Sequence, residues 1–480
     1  MKLSLSLPTG ERQALLWLVA LGFFMQTLDA TIVNTALPAM ARDLGESPLQ
    51  MHSVIVAYSL AMAVLIPASG WLADRFGTRR VFMSAIALFV TGSVLCALSP
   101  TLPLLVGARV VQGLGGALLL PVGRLAVLRA FPRDEFIRAM SFVVIPGLIG
   151  PLIGPTLGGW LVEFASWHWI FWVNVPVGLA GLAAARRFMP AGDAQPPRGF
   201  DLLGYGLLAF GMAAVSLGVE AMAGGGLSRA SALVLLVFGI ASLASYGLHA
   251  LRSRNPLFTP ALFGVRTLRV GLLGNFFSRL GSSAMPFMIP LVLQVSLGYS
   301  PMHAGMMMLP TVLGSMAVKA LVTRLVQRFG YREVLVANTA VLALLVGSFA
   351  LMAPGAPLAL MVLQLALFGA ANSTQFSAMN TVTLMDLEPG HASSGNSLLS
   401  MVQMLAMGMG VALAGAVLGS LQASAAAQGA AGTLHAFRVT FICMGLLTLA
   451  ATALFFQLPP RGIHRAQAQA RQDKEQGSLP

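Results

Sequence analysis

Charged residues are scarce in this sequence. Aspartate, glutamate, lysine and arginine make up only 9% of its 480 residues, against about 25% in ordinary soluble domains. Hydrophobic residues make up 57%. A water-soluble chain of this length could not remove that much apolar surface from water, so the composition excludes a soluble globular protein.

Cysteine and nucleotide-binding motifs are also lacking. The only two cysteines, Cys96 and Cys443, lie inside apolar runs, which argues against a disulfide framework, a zinc cluster and a thiol nucleophile. The sequence contains no GxxxxGK[ST] loop, so ATP hydrolysis is excluded as an energy source. No nucleophile–base pattern stands out either. We therefore expect neither an enzyme nor a metal or other cofactor.

What the sequence does contain is a series of long apolar runs. Many are about 20 residues long, the length of one bilayer crossing by an α-helix, and none resembles the ~10-residue alternating strands of a membrane β-barrel. The fold class predicted is therefore an all-α integral membrane protein in a lipid bilayer. Fourteen transmembrane helices are predicted, at 13–38, 50–72, 80–99, 103–128, 138–162, 167–187, 201–220, 230–250, 268–296, 302–321, 334–353, 357–383, 394–420 and 436–457.

The distribution of arginine predicts the orientation. An even number of spans places both termini on one side, and the loops of that side hold most of the arginines, whereas the other side holds little beyond Arg42, Arg229 and Arg438. By the positive-inside rule, both termini are cytoplasmic. The net charge of +13 is explained by these scattered loop arginines, so we predict no nucleic-acid partner.

A short basic loop occurs twice. The motif Arg75-Phe76-Gly77-x-Arg79-x-Val81 returns 253 residues later as Arg328-Phe329-Gly330-x-Arg332-x-Val334. Both copies join the second and third helices of a six-helix set, if the seventh and eighth helices are an insertion. We therefore predict two pseudo-symmetric six-helix bundles, a common plan among secondary transporters. The predicted regions are 1–190 and 256–458 for the bundles, 191–255 for the linker with two inserted helices, and 459–480 for a disordered cytoplasmic tail.

Several stretches resemble one protein family. The loop "GWLADRFGTRR" (70–80) resembles the signature of the major facilitator superfamily. Three further motifs resemble its fourteen-helix drug:proton antiporter branch, as does "WHWIFWVNVPVG" (167–178). These motifs are "LDATIVNTALP" (28–38), "ARVVQGLGGA" (108–117) and "GPLIGPTLGGWL" (150–161). The resemblance covers nearly the whole chain. It implies a monomeric, proton-driven antiporter that exports small molecules across a bacterial inner membrane by alternating access.

The duplicated loop is, by this resemblance, a latch that holds the two halves closed on the cytoplasmic side. Glycine permits a tight turn there, and the neighbouring charges can form ion pairs and cap helix ends. A plain topological anchor of positive charge is the alternative. The second copy has Gln327 in place of Asp74, so its latch should be weaker. The predicted latch residues are Gly70, Asp74, Arg75, Gly77, Arg79, Arg80, Arg328, Gly330 and Arg332.

The fifth predicted helix carries a pattern of small residues. Gly150, Gly154 and Gly158 recur every four residues, which places them on one helix face where another helix can approach closely. Pro151 and Pro155 favour a bend, and Gly159 completes the motif. The resemblance implies that this is the antiporter motif, while ordinary small-residue packing remains open.

Charges within the predicted spans need a reason, because each costs at least ~2.5 kcal/mol at the middle of a bilayer. With a rise of about 1.5 Å per residue, Asp29 lies about 22 Å from Ala14, near the cytoplasmic end of its helix. Arg109 lies about 12 Å from Thr101, near the outer end of its own helix. Because the two distances are measured from opposite sides of the membrane, the two residues lie at similar depths, and Asp29 and Arg109 are candidate partners for proton coupling. A purely structural ion pair is the alternative.

Other polar residues in the spans are candidates for a substrate cavity. Arg279 lies in the middle of the ninth span, and Asn372 and Gln375 lie three residues apart in the twelfth. For the last two, hydrogen bonding between helices is an equal alternative. The predicted cavity residues are Gln26, Gln112, Arg279, Asn372 and Gln375.

Two kinds of cargo remain open from the sequence. Multidrug export is what the resemblance implies. However, Asp29 is the only acid deep in a predicted span, whereas Arg109 and Arg279 are both present. This balance favours neutral or anionic cargo, such as an organic anion or an anionic metal chelate of the iron–citrate kind.

Overall fold

The computed structural model describes residues 9–131, 133–190, 199–222, 228–388, 391–425 and 429–459. Within these ranges the chain is helical between short connections, and no strand forms. The first ten α-helices are α1 (Thr9–Leu44), α2 (His52–Leu65), α3 (Ser69–Phe76), α4 (Thr78–Ala97), α5 (Leu102–Ala130), α6 (Arg133–Phe164), α7 (Trp169–Trp172), α8 (Asn174–Phe188), α9 (Leu202–Met222) and α10 (Arg229–Arg252).

The remaining helices continue this pattern, with several apolar runs divided into consecutive helices. They are α11 (Arg266–Ser282), α12 (Met285–Val295), α13 (Pro301–Met306), α14 (Leu309–Ala317), α15 (Lys319–Phe329), α16 (Tyr331–Ser348), α17 (Leu358–Leu384), α18 (Ala392–Ala425), α19 (Gly429–Ala450) and α20 (Thr452–Phe455). Short 3₁₀ helices form at Ile66–Ala68, Pro260–Gly264 and Phe349–Leu351.

The helices are long and apolar enough for a membrane protein with many spans. Among the described residues, twelve helical segments could cross a bilayer, and a bent pair, Pro301–Ala317 with Leu321–Phe329, would make thirteen. The prediction of an all-α membrane protein is therefore confirmed. The count of fourteen stays a prediction. The fifth predicted span coincides with α6, which is not one of these twelve segments. Several side chains of α6 are not among those that the structure describes.

The chain divides into two compact units. Unit 1 comprises Met1–Thr259, Ser283–Leu309 and Ser400–Phe437, and unit 2 comprises the rest. In unit 1, Phe82 of α4 and Val122 of α5 are fully buried in a large apolar cluster. In unit 2, Leu335 of α16 and Phe455 of α20 are fully buried in a smaller one. The predicted six-helix bundles and the linker stay predictions, and the predicted disordered tail lies almost wholly outside the described residues.

Helix α1 is held close to α6 by matched small side chains, and this contact fixes the position of Asp29. A Cβ atom added to any of the three motif glycines of α6 would collide with α1. The pairs that meet are Gly150 with Thr27, Gly154 with Thr31, and Gly158 with Thr35. Both sets recur every four residues, so one face of each helix meets the other along two turns.

Hydroxyl groups of α1 also bond to the backbone of α6. Thr35 Oγ1 donates to the carbonyl oxygen of Pro155 at 3.2 Å, and Thr31 Oγ1 donates to that of Gly150 at 3.5 Å. The helix continues through Pro151 and Pro155. Hydroxyl donors from a neighbouring helix are one means by which membrane proteins satisfy backbone groups near prolines.

Helices α9 and α10 pack against each other and expose apolar side chains. Gly211 and Gly218 of α9 contact Leu243 and Leu236 of α10. Side chains such as Phe210, Val237 and Phe238 are more than half exposed in the described part of the chain, as are several other apolar residues of this pair. Apolar surface of this extent is expected where helices face lipid.

Candidate functional site

A buried ion pair joins α1 and α5 in unit 1. Arg109 Nη1 of α5 is 2.6 Å from Asp29 Oδ2 of α1. Asp29 is 0% exposed and Arg109 is 1% exposed. Because both charges are removed from water, the pair can persist only with close geometry and further hydrogen bonds.

Three side chains supply those further hydrogen bonds. Gln112 Nε2 donates to Asp29 Oδ1 at 2.8 Å, and Gln112 Oε1 accepts from Arg109 Nη1 at 2.6 Å. Asn174 Nδ2 of α8 donates to Asp29 Oδ1 at 3.1 Å. Ser93 Oγ of α4 accepts from Gln112 Nε2 at 2.8 Å. We call these five residues (Asp29, Ser93, Arg109, Gln112 and Asn174) the charged cluster.

The guanidinium of Arg109 is also held by α2. Its Nε donates to the carbonyl oxygen of Val54 at 3.2 Å, and its Cζ lies 4.2 Å from the centroid of the Tyr58 ring. Helices α1, α2, α4, α5 and α8 thus all meet at the charged cluster. A network with its polar atoms satisfied is rigid, and it ties the helices that contribute to it to one another.

The chemistry open to this cluster follows from the difference between its two charged groups. A carboxylate can become neutral by taking up a proton, whereas a guanidinium cannot lose one in a protein. Any movement that separates Asp29 from Arg109 would leave a carboxylate in a low-dielectric environment without its counter-charge. Proton uptake would then relieve the unfavourable charge.

Sequence reasoning paired Asp29 with Arg109 and included Gln112 among the candidate residues, but it missed Asn174, Ser93 and Tyr58. Asn174 is a single amide in the apolar run "WIFWVNVPVG", and that isolation was the available signal. Gln26 shares a face with Asp29 in the sequence pattern but does not join the cluster. Its Oε1 atom is buried and accepts no hydrogen bond from the described residues.

The other predicted cavity residues lie in unit 2. Arg279 Nε donates to Asn275 Oδ1 at 3.4 Å, and its guanidinium lies 4.8 Å from the centroid of the Phe376 ring. Gln375 is buried and bonds to α16, accepting from Asn338 at 2.8 Å and donating to Thr339 at 2.7 Å. Asn372 is half-buried. The bonds of Gln375 link α17 to α16.

The duplicated loop has the same local structure in both copies. Gly77 has φ +85° and Gly330 has φ +93°, backbone angles that residues with a side chain rarely adopt. The amide of Val81 donates to the carbonyl of Gly77, and that of Val334 donates to the carbonyl of Gly330, each at 3.2 Å. The sequence repeat is therefore also a structural repeat of helix, glycine turn and helix.

In the first copy, Asp74 is paired with an arginine of another helix. Asp74 Oδ1 accepts from Arg129 Nη2 of α5 at 2.5 Å, and Arg129 was not among the predicted latch residues. Gly70 has open space around its Cα. Among the predicted arginines, Arg75 and Arg80 are exposed and Arg79 is half-buried. In the second copy, the Arg328 guanidinium lies 5.4 Å from the centroid of the Phe329 ring. The Arg332 guanidinium lies 5.8 Å from the centroid of the Phe456 ring.

The end of α6 contacts α13 within unit 1. A Cβ atom on Gly159 would collide with the backbone of Pro301, and one on Gly305 would collide with that of Pro155. Beyond the apolar part of α6, Glu163 Oε2 accepts from the amide of Met302 at 3.0 Å. Hydrogen bonds from the Ser300 side chain and this amide lower the pKa of Glu163 from its ordinary value, because both favour the ionised form.

Comparison with known families decides what kind of protein this is. The model of the Major Facilitator Superfamily matches residues 19–411 and, in a second match, residues 271–476. The chain belongs to the major facilitator superfamily. Members of this superfamily are membrane transporters, so the chain is a transporter and not an enzyme.

Relatives of known sequence match over almost their whole length. A protein of Serratia proteamaculans named "Putative multidrug resistance protein MdtD" is 51% identical over 94% of each chain. A protein of Cronobacter sakazakii with the same name is 50% identical over 98% of this chain and 99% of the relative.

Solved structures show the same fold at low sequence identity. An inward-facing bacterial homologue of the human lysosomal transporter Spinster has a TM-score of 0.67 and 16% identity, covering 94% of this chain and 97% of that chain. A D-xylose–proton symporter has a TM-score of 0.65 and 17% identity, covering 93% of this chain and 98% of that chain. At such identities the likeness concerns the fold alone.

Proposed function

We propose that this transporter is a proton-coupled antiporter that exports small molecules across a bacterial inner membrane. The observation that carries the proposal is the buried pair of Asp29 and Arg109 at 2.6 Å. A buried ion pair is weak evidence for added stability. In a membrane transporter, however, a carboxylate inside a span is a good candidate for a proton-binding group.

The coupling cycle would use the charged cluster as follows. With Asp29 ionised and bound to Arg109, the cluster holds no transported proton. Movement of α1 relative to α5, or competition from cargo for Arg109, separates the two groups and causes Asp29 to take up a proton. When Arg109 returns, it favours the ionised carboxylate, and the proton is released. Release on the other side of the membrane from uptake couples the proton gradient to transport.

Two other contacts would support the change of conformation. The close glycine–threonine contact of α1 with α6 lets these helices move together, which would transmit a shift of Asp29 to the predicted antiporter motif. The ion pair of Asp74 with Arg129 ties α3 to α5 beside the first glycine turn. We propose that this pair, rather than Arg75 or Arg80 alone, stabilises the closed form of the latch.

Drug-like small molecules are the cargo that the relatives' names support, since those proteins are called multidrug resistance proteins. A second candidate is an organic anion or an anionic metal chelate. It is favoured by the bonding of Asp29, whose two carboxylate oxygens are engaged by Arg109, Gln112 and Asn174. Asp29 is then poorly placed to bind a cationic drug in this conformation.

Transport into inverted membrane vesicles tests the function directly. Uptake of cationic, neutral and anionic compounds is measured with and without an imposed pH gradient. We expect gradient-dependent uptake by the wild type and none by Asp29→Asn, per copy of folded protein. Asp43→Asn, a neutralised acid on the same helix with a side chain 55% exposed, is the matched control. Gradient-driven uptake by Asp29→Asn would refute the coupling role of Asp29.

We also propose that both termini lie in the cytoplasm, which the arginine-rich loops support. A fluorescent protein fused after the last residue should fluoresce, and alkaline phosphatase fused at the same point should be inactive. The reverse pair of results would overturn this orientation.

A further inference from the structure

We propose that His52 and Glu220 form a second proton-binding site, built where the inserted helix α9 meets α2. This inference deepens the proposed antiport and rests on it for the physiological role of the site. The site itself is argued from the geometry of the two side chains. It would give the inserted helices a function in proton binding.

The two side chains face each other at the boundary of the membrane spans. His52 is the first residue of α2 and is 7% exposed. Glu220 lies two residues before the end of α9, and its side chain is 16% exposed. His52 Nε2 lies 3.9 Å from Glu220 Oε1, which is too far for a hydrogen bond. His52 Nε2 is buried and has no hydrogen-bond partner among the described residues.

The hydrogen bond at the other ring nitrogen assigns the tautomer of His52. Nδ1 lies 2.5 Å from the carbonyl oxygen of Leu49. Because a carbonyl oxygen can only accept, Nδ1 must carry the hydrogen. In the neutral imidazole, Nε2 then presents a lone pair toward Glu220.

The pair is therefore one proton short of a hydrogen bond. With Glu220 ionised and His52 neutral, two acceptors face each other. One proton from the adjoining aqueous phase, added to Nε2, converts this arrangement into an N–H donor and a carboxylate acceptor. No other bond breaks, and the charge of the pair changes from −1 to zero. A small movement of either side chain then closes the gap to a charge-assisted hydrogen bond.

Of the neighbouring helices, α18 and α9 add no further charge to the pair, while α5 brings Arg109 to the carbonyl oxygen of Val54. Helix α18 packs against the imidazole at Gly415, where an added Cβ atom would lie 3.0 Å from the ring, and Ala392–Ala425 contains no titratable residue. The other titratable residue of α2 is Tyr58, and that of α9 is Tyr205, near its opposite end.

The proposed site also adjoins the charged cluster. Val54, two residues after His52, accepts a hydrogen bond from Arg109 Nε at 3.2 Å. The first turn of α2 therefore contacts both Glu220 and the partner of Asp29. Protonation of the pair would draw α9 toward α2 and bias the position of a backbone that holds Arg109. The site thus has a direct structural route to the coupling carboxylate.

Histidine NMR on the full chain in lipid nanodiscs tests proton binding itself. The ring carbon Cε1 of ¹³C-labelled histidine is followed through a pH titration, and His52→Gln identifies the signal of His52. We expect this signal to titrate, and Glu220→Gln to lower the pH of its midpoint by about 1 unit or more, the effect of losing a nearby opposite charge. If His52→Gln does not fold, the signal displaced by Glu220→Gln supplies the assignment.

An internal control comes from His249, which already bonds to Asp201 Oδ1 at 2.7 Å and whose midpoint should not respond to Glu220→Gln. A His52 signal that keeps one position throughout, or a midpoint unchanged in Glu220→Gln, overturns the proposal.

Transport assays separate this proposal from the function on which it rests. If antiport is correct, Glu220→Gln should shift the external pH dependence of gradient-driven uptake. An unchanged pH profile would remove the proposed link to transport. If gradient-driven uptake is absent from the wild type, the antiport proposal fails. The NMR titration still decides whether His52 and Glu220 bind a proton.

Discussion

Replacing Asp29 with asparagine should destabilise the protein far more than an ordinary loss of surface charge. The substitution keeps the shape of the side chain and removes its charge, while Arg109 remains charged and buried. The side chain of Asp29 is 0% exposed and that of Arg109 is 2% exposed, so the guanidinium cannot reach water without a rearrangement. Removing one partner of a buried pair typically costs about 3–5 kcal/mol, and we expect Asp29→Asn to fall in that range.

The converse substitution, Arg109→Gln, should cost less. It leaves a buried carboxylate, which can become neutral by taking up a proton, a response that is closed to the guanidinium. Its destabilisation should therefore decrease as the pH falls. In the double variant both charges are absent and two amides remain, so it should be more stable than Asp29→Asn alone. The expected interaction energy is about 3 kcal/mol, at the upper end for residues in contact.

These energies can be compared in a double-mutant cycle in mixed micelles. Unfolding by a denaturing detergent is followed through tryptophan fluorescence, and free energies of unfolding are compared for the wild type, both single variants and the double variant. Asp43→Asn on the same helix should change stability by less than about 1 kcal/mol, since its acid is largely exposed. Additive effects of the two cluster variants, or a loss in Asp29→Asn no larger than in Asp43→Asn, would refute the reasoning.

Three further predictions concern the glycine turn and the ends of the helices. Gly77→Ala should lower the free energy of unfolding by about 1–3 kcal/mol, because the positive φ at this position strains a residue with a side chain. Gly70→Ala should lower it less, because the added Cβ atom meets open space. The free energies of unfolding of the two variants are compared. Asp74→Asn should lower stability by under about 1 kcal/mol, because its pair with Arg129 is partly exposed, yet slow vesicle transport; unchanged transport would favour a topological anchor. The lowered pKa of Glu163 implies that its contact with α13 stabilises the fold above the ordinary carboxyl pKa and is lost as the pH falls through the lowered value. A spin-label distance between α6 and α13 should show that pH dependence in the wild type and lack it in Glu163→Gln.

The sequence was informative where a physical penalty limits the possibilities. Charge inside an apolar span is costly enough that Asp29 and Arg109 stand out in the sequence as functional candidates, and helix rise places them at similar depths. Asn174 does not stand out in this way, because a neutral amide disturbs the hydropathy pattern little. Its partner, Asp29, lies 145 residues away in the chain. Arg129 was missed as the partner of Asp74 for a related reason, since most loops predicted on its side contain arginine and composition does not select one.

Helix boundaries were less predictable than the spans themselves. The second predicted span, 50–72, is divided by a 3₁₀ turn at Ile66–Ala68, which contains Pro67. Pro151 and Pro155, in contrast, lie within the continuous helix α6. Proline alone therefore does not predict a break in a membrane helix. In α6 the hydroxyls of α1 bond to the carbonyls of Gly150 and Pro155, whereas the carbonyls that lose an amide donor to Pro151 and Pro155 are those of Gly147 and Pro151.

The two ends of α9 show how similar residue pairs can serve different purposes. At its start, Asp201 accepts from His249 at 2.7 Å, the amide of Gly204 at 2.9 Å and the amide of Leu257 at 3.3 Å. Three donors thus engage the carboxylate of Asp201, so this pair anchors the start of α9 to α10 and to the chain that follows α10. At the other end, Glu220 has no hydrogen bond from the described residues, and His52 Nε2 faces it at 3.9 Å. A proton added to Nε2 would turn these two facing acceptors into a donor and an acceptor, which is why we assign proton binding to this end of α9.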